Sequence, residues 1–163
     1  MNRMIPFSLA LLAALSAGAA HADERVCRGN IGAEHIDGDV RVPAGARCKL
    51  NGTRVDGNIK LQARASLQAR QVQVDGNVEG ENHAQATITG GSVGGNIQLK
   101  QGGGASSTRV RVDGDMQLFA NRGKQQVSHN QIDGNLQCKS NRSAPTGSSN
   151  RVDGNKEDQC VGL

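Results

Sequence analysis

The sequence predicts a parallel β-solenoid, and three observations lead to that fold class. A five-residue phrase recurs along the chain, apolar and polar residues alternate around it, and aromatic residues are almost absent. Beyond residue 22, Phe119 is the only Phe, Trp or Tyr. Because a compact core ordinarily draws much of its buried area from aromatic side chains, this chain needs many thin layers of Val, Ile and Leu instead.

The phrase begins with Val or Ile and continues, in most copies, with Asp, Gly and then Asn or Asp. Its copies begin 19 residues apart four times and then 20 apart twice. The seven copies are Ile36-Asp37-Gly38-Asp39-Val40, Val55-Asp56-Gly57-Asn58-Ile59, Val74-Asp75-Gly76-Asn77-Val78, Val93-Gly94-Gly95-Asn96-Ile97, Val112-Asp113-Gly114-Asp115-Met116, Ile132-Asp133-Gly134-Asn135-Leu136 and Val152-Asp153-Gly154-Asn155-Lys156. A fixed period of this size indicates a repeat architecture.

Polarity alternates within each phrase, which predicts a β-strand with one buried face. In the second copy Val55, Gly57 and Ile59 fall on the buried side. A repeat of 19 to 20 residues is too short to fold alone but suffices for one rung of a parallel β-helix, with rungs about 4.8 Å apart. The leucine-rich repeat is the main rival at this length, and its L-x-x-L-x-L pattern is missing. We therefore expect one all-β domain over residues 23–163, a parallel and right-handed helix of about seven rungs.

The two ends of the predicted solenoid carry the four cysteines. Cys27 and Cys48 lie 21 residues apart, Cys138 and Cys160 lie 22 apart, and each spacing is close to one rung. We therefore predict the disulfides Cys27–Cys48 and Cys138–Cys160, each worth about 3 kcal/mol in the chain-entropy model. In the last phrase Lys156 occupies an expected core position, which protects the final rung from pairing with another molecule.

The N-terminus predicts export. Arg3 precedes an apolar run from Met4 to Leu15, and Ala20-His21-Ala22 matches a cleavage site, so residues 1–22 are expected to be a signal peptide. An even cysteine count suits the oxidising compartment that such a signal leads to. We expect a periplasmic or extracellular protein whose mature chain has no membrane span.

One column of carboxylates is the principal candidate site. Six of the seven phrases place Asp directly after the leading Val or Ile: Asp37, Asp56, Asp75, Asp113, Asp133 and Asp153. Stacked carboxylates repel, and a divalent cation such as Ca²⁺ is one way to offset that. The other way is a plain turn with basic partners, which precede the leading residue at His35, Arg54, Arg111 and Arg151. The second interpretation is preferred, and we expect no resident cofactor or metal.

The remaining polar columns are expected to be structural. Stacked amides should hydrogen-bond along the phrase position occupied by Asp39, Asn58, Asn77, Asn96, Asp115, Asn135 and Asn155. Asn121 and Asn141 share a second phase, and Asn130 and Asn150 a third. The histidines His35, His83 and His129 occupy different phases, so we expect no shared catalytic or metal site. The threonines Thr53, Thr87, Thr89, Thr108 and Thr146 are likewise expected to share no phase, which argues against an ice-binding array.

Charge gives no simple indication of a partner. Basic and acidic residues are interspersed along the chain, and no Lys/Arg run predicts a nucleic-acid or membrane patch. No G-x-S-x-G elbow surrounds a serine, and no long insertion could build the groove of a polysaccharide lyase. We therefore expect a protein that is not an enzyme and does not bind nucleic acid.

The V-D-G-N-I and V-D-G-D-M phrases resemble those of bactofilins, the polymer-forming bacterial β-helices. The resemblance covers most of residues 36–155 and implies a β-helical fold. Bactofilins are cytoplasmic and poor in cysteine, whereas this chain has a predicted export signal and four cysteines. The whole chain, including Asn135-Leu136-Gln137-Cys138 and Asp158-Gln159-Cys160, looks closer to uncharacterised secreted bacterial repeat proteins, a likeness that carries no activity with it.

Two classes of function remain open from the sequence. The first is a structural or interaction protein of the bacterial envelope or exterior. The alternative is a module that binds polyanionic or polyhydroxylated glycans through the arginine and asparagine columns.

Overall fold

A computed structural model describes residues 24–163. The predicted signal peptide, residues 1–22, lies outside the described residues. The described chain winds through seven coils and begins an eighth. Its strands are β1 (Arg25–Val26), β2 (Gly29–Ile31) and β3 (His35–Ile36) in coil 1; β4 (Val40–Val42), β5 (Arg47–Asn51) and β6 (Arg54–Val55) in coil 2; β7 (Ile59–Leu61) and β8 (Ser66–Val74) in coil 3; β9 (Val78–Glu81) and β10 (Gln85–Val93) in coil 4; β11 (Ile97–Lys100), β12 (Gly104–Thr108) and β13 (Arg111–Val112) in coil 5; β14 (Met116–Phe119), β15 (Gln125–Ser128) and β16 (Gln131–Ile132) in coil 6; β17 (Leu136–Lys139) and β18 (Arg151–Val152) in coil 7; and β19 (Lys156–Asp158) at the end.

The strands form three faces, and all their pairings are parallel. The first face is a sheet in the order β1-β4-β7-β9-β11-β14-β17-β19. The second face contains β2, β5, the first parts of β8 and β10, β12 and β15; the third contains β3, β6, the last parts of β8 and β10, β13, β16 and β18. Register follows the repeat, so Ile59 pairs with Val78 and Val78 with Ile97. The predicted parallel β-solenoid of about seven turns is confirmed.

The repeated phrase forms the corner between the third and first faces, not one continuous strand as expected. In coil 2, Val55 ends β6, Ile59 begins β7, and the three residues between them bend the chain. The bend is stabilised by the side chain of the Asn or Asp in the neighbouring coil, whose Oδ1 lies in the space that a Cβ on the phrase glycine would occupy. The phrase glycine is therefore required for close approach between coils.

The core is a stack of aliphatic side chains inside the three faces. One column runs along the start of the first-face strands through Val40, Ile59, Val78, Ile97, Met116 and Leu136, all at most 1% exposed. Burying each such side chain contributes about 1.5–3 kcal/mol, which replaces the aromatic contribution that this chain lacks. Lys156 continues the column in β19 and ends the apolar stack, as predicted.

Both predicted cysteine pairs lie at disulfide distance. The Cα atoms of Cys27 and Cys48 are 5.5 Å apart, and those of Cys138 and Cys160 are 5.3 Å apart. At the N-terminal end Arg25 forms an ion pair with Glu34 at 3.4 Å. At the other end the turn after β19 returns Leu163 to the core. No helix among residues 24–163 is long and apolar enough to cross a membrane.

Candidate functional site

The aspartate column lies at the corner formed by the repeated phrase, where basic side chains connect its members. Arg54 contacts Asp56 in its own coil at 3.2 Å and Asp75 in the next coil at 2.9 Å. Arg111 repeats this arrangement with Asp113 at 2.9 Å and Asp133 at 2.6 Å. Each of these arginines therefore bridges the carboxylates of two adjacent coils, which offsets the repulsion between them without an added cation.

His35 takes the place of arginine in coil 1. Its Nε2 lies 2.8 Å from Asp56 and 3.5 Å from Asp37. Hydrogen bonds from His35 and Arg54 hold the pKa of Asp56 below its usual value. His35, Asp37 and Asp56 are the group among the described residues whose ligand atoms could surround a metal ion, and all three are exposed. Calcium binding by the aspartate column stays a prediction, and the arginine bridges favour the structural interpretation.

The predicted ladder of amides is present at the same corner. Asn58 donates its backbone N–H and its Nδ2–H to Asp39 Oδ1 at 2.7 and 3.0 Å, and Asn77 does the same to Asn58 Oδ1. The backbone bonds continue coil by coil to Asn155. At the start of the ladder, burial raises the pKa of Asp39, but hydrogen bonds from Lys60 and Asn58 outweigh burial and leave it below the usual value.

Two further ladders lie inside the other corners, as the shared phases of the asparagines suggested. The Oδ1 of Asn121 accepts the N–H of Gly102, and the Oδ1 of Asn141 accepts the N–H of Asn121. At the corner between the second and third faces, Asn130 and Asn150 form the equivalent bonds. All four side chains are buried and satisfy backbone groups of neighbouring coils, so they stabilise the fold and are not exposed for a ligand.

His83 lies in the core, an environment that its phase in the sequence did not predict. Its side chain is 2% exposed, and neither ring nitrogen has a hydrogen-bond partner. Gly80 occupies the position that is Leu61 and Leu99 in adjacent coils, and Gly102 lies against the ring from the next coil. The imidazole therefore fills space left by two missing side chains, and burial lowers its pKa. The signal for this was Gly80, the one glycine in an otherwise apolar column.

The histidines do not converge, in agreement with their different phases. His35 lies on the third face, His83 lies in the core, and His129 lies at the corner between the second and third faces.

The threonine prediction is wrong for four of its five residues. On the second face Thr89 pairs with Thr108, and Thr87 pairs with Ser106. Ser106 pairs in turn with Gln126, which bridges to Thr146, so Thr87 and Thr146 share a column. Thr108 follows Thr89 by one 19-residue period, so the sequence already placed these two in one phase. Thr146 follows Thr87 by 59 residues, because two of the three coils between them are 20 residues long. Only Thr53, a buried corner residue that donates to Gly32 O, stands apart as expected.

Apart from Glu34 in coil 1, which pairs with Arg25, the charged residues of the second face and its two corners are all basic. The segments 27–33, 44–52, 63–71, 82–90, 101–109, 120–129 and 140–149 contain none of the 15 acidic residues of the chain and nine of its 19 lysines and arginines. The nine are Arg28, Arg47, Lys49, Arg64, Arg70, Arg109, Arg122, Lys124 and Arg142. We call this surface the basic face.

No described acidic residue neutralises the basic face. Within residues 24–163, every ion pair joins residues of the other two faces and their shared corner, or crosses the N-terminal end. The arginines of the third face are paired with aspartates, whereas the nine residues of the basic face make no such pair. Charges that are interspersed along the linear sequence are therefore segregated in space. Sorting charges by their phase within the repeat would have found this surface.

A shallow open depression follows the basic face along the coils. It is lined by Arg47 and Lys49 in coil 2, Ser66 and Gln68 in coil 3, and Gln85 and Thr87 in coil 4. A second depression adjoins it at Lys49 and reaches Arg70. The basic face thus offers a continuous polar path, with cations at its edge and hydroxyl and amide groups along it.

Comparisons with family models, with curated proteins and with solved structures gave no match. The likeness of the repeated phrase to bactofilins therefore remains an expectation from the sequence.

Proposed function

We propose that this protein is an exported, non-enzymatic module that binds acidic polysaccharides through the basic face. The observation that carries the proposal is the segregation of charge: the segments of the basic face contain nine cations and no carboxylate, whereas the rest of residues 24–163 contains 14 acidic residues. Such a field concentrates polyanions near the surface and speeds their association. The proposal takes up the alternative that the sequence left open, a module that binds polyanionic glycans, and assigns the contact to the basic face instead of the arginine and asparagine columns.

The uncharged side chains of the basic face suit a carbohydrate. Thr87, Thr89, Ser106 and Thr108 form a grid of hydroxyl groups in register. Neighbours in the grid lie about 4.8 Å apart between coils and about 6.6 Å apart along a strand. Hydroxyl and amide groups both donate and accept hydrogen bonds, which matches the hydroxyl groups of a sugar chain.

Acidic polysaccharide is preferred over nucleic acid as the ligand. Proteins that bind single-stranded nucleic acid stack bases on aromatic side chains, and the one aromatic residue beyond residue 22, Phe119, lies on the first face. The two cysteine pairs at disulfide distance are consistent with an oxidising compartment outside the cytoplasm. The predicted signal peptide supports export, and anionic glycans are abundant polymers of that setting.

The test is retention on immobilised heparin and polygalacturonate, with neutral dextran as the matrix control. The double variant Arg47→Gln/Lys49→Gln should bind about tenfold more weakly, because hydrogen bonds to charged groups are worth about 1.5–3 kcal/mol each before solvent screening. The matched control Lys100→Gln/Lys139→Gln removes the same charge from the first face and should bind like the original protein. Equal losses in both variants, or retention of an oligonucleotide but of neither polysaccharide, would overturn the proposal.

A further inference from the structure

The cations of the basic face are divided into two clusters along the axis of the solenoid. The N-terminal cluster occupies coils 1 to 3 and consists of Arg28, Arg47, Lys49, Arg64 and Arg70. The C-terminal cluster occupies the end of coil 5 and coils 6 and 7, and consists of Arg109, Arg122, Lys124 and Arg142. Between the clusters, coil 4 contributes no charge to this face.

The surface between the two clusters is polar and flat. Gln85, Thr87 and Thr89 face outward from coil 4, and Ser106 and Thr108 face outward from coil 5. The turns that border these coils are short, and the longest irregular stretch, residues 140–150, lies beyond them in coil 7. A chain lying along the axis over coils 2 to 6 would therefore meet no protruding loop.

Register places cations of the two clusters in line. Arg47 pairs with Ser66, Ser66 with Gln85 and Gln85 with Gly104. Lys124 continues this column in coil 6, since the next residue, Gln125, pairs with Ala105. Four steps of about 4.8 Å separate Arg47 from Lys124, a span of about 19 Å.

A chain lying across the face would meet fewer cations than one lying along it. A crossing chain meets two cations in coil 2, two in coil 3 and none in coil 4. The axial column contains three, since Arg28 is in register with Arg47 and the column continues to Lys124. The depression beside Arg47 also runs along the axis, from coil 2 through coil 3 into the hydroxyl grid of coil 4.

We infer, on the basis of the proposed function, that the ligand is a linear acidic polysaccharide that lies along the solenoid axis and bridges both clusters. The site therefore selects for length. An oligosaccharide shorter than the span of about 19 Å reaches one cluster. A longer one reaches both, and its second contact forms at high effective concentration.

The experiment measures dissociation constants for size-defined oligomers of heparin and of polygalacturonate, from dimers to dodecamers. Affinity should rise on the order of 10²-fold once the oligomer spans both clusters, and then level off. Two variants test the bridge: Arg47→Gln/Lys49→Gln in the N-terminal cluster and Arg122→Gln/Lys124→Gln in the C-terminal cluster. Each should abolish most of that rise while changing dimer affinity by a few-fold at most. Lys100→Gln/Lys139→Gln is again the control.

The failures of the two proposals are distinguishable. If the original protein retains neither long polymer, the polysaccharide-binding proposal itself fails. If it retains them but affinity increases smoothly with length, with no step and no leveling, the axial bridge is wrong and polysaccharide binding stands. The bridge is also wrong if the N-terminal variant loses all binding while the C-terminal variant keeps the full rise. Circular dichroism and melting curves of each variant verify that the exposed substitutions leave the solenoid folded.

Discussion

The close approach at the phrase corner gives the most direct test of the fold, through Gly76→Ala. A Cβ at this position would lie 2.6 Å from Asn58 Oδ1 and 2.7 Å from the carbonyl oxygen of Gly57. Backbone atoms cannot rotate aside, so coils 2 and 3 must separate locally. The φ of Gly76 is not in the left-handed region, so the cost arises from the contact alone.

The expected cost combines two effects. Overpacking of this kind destabilises by about 1–3 kcal/mol. Displacing Asn58 also weakens the hydrogen bonds that its Oδ1 accepts from Asn77, worth about 0.5–1.5 kcal/mol each. We expect a loss of about 2–4 kcal/mol, which lowers the melting temperature by about 10 °C in a domain of this size.

The assay is thermal unfolding followed by circular dichroism, with Gly32→Ala as the matched control. A Cβ on Gly32 meets nothing within 4 Å, so that variant should melt at or slightly above the original temperature. A melting temperature for Gly76→Ala within about 2 °C of the original would refute the reasoning, because 1 kcal/mol alone shifts it more than that.

Two further predictions concern buried side chains. Burial lowers the pKa of His83 below 6.5, so the unfolded chain binds the proton more readily than the folded one. The free energy of unfolding should therefore be constant above about pH 6.5 and decrease as the pH falls toward the folded-state pKa of His83. Urea titrations at several pH values should show that His83→Asn removes this pH dependence. Asn130→Ala should destabilise by about 2–4 kcal/mol in urea, because it removes the acceptor of the Val110 N–H and of the Ser107 hydroxyl and a donor to the Ser107 carbonyl. Gln131→Ala next to it should change stability by no more than about 0.5 kcal/mol, and an equal effect of both variants would contradict the account.

The period of the repeat was sufficient to predict the fold, the column alignments and the cysteine pairs, because each is a consequence of stacking equal phases. The same reasoning misjudged the phrase itself. Alternation of Val55, Gly57 and Ile59 suits a strand, but the chain bends there, since the neighbouring coil supplies the hydrogen bonds that a turn would otherwise need.

The basic face was missed for a different reason. Charge was judged along the chain, where Lys49 and Asp56 are close neighbours, yet a solenoid turns successive residues toward different faces. The burial of His83 was not predicted because its surroundings depend on two glycines, Gly80 and Gly102, one three residues before it and the other 19 residues after it.

The ladders differ in direction, and this has a consequence for how the rod opens. At the phrase corner the earlier coil supplies the acceptor, as Asp39 does for Asn58. In the interior ladders the later coil supplies it, as Asn141 does for Asn121. When the last coil detaches, the coil before it keeps N–H donors without acceptors at the interior corners. The same coil keeps an Oδ1 acceptor without a donor at the phrase corner. Peeling from the C-terminal end is therefore penalised at all three corners at once. The interior ladders begin only in coil 5, so the N-terminal coils have the phrase ladder alone and depend on the Cys27–Cys48 pair to resist fraying.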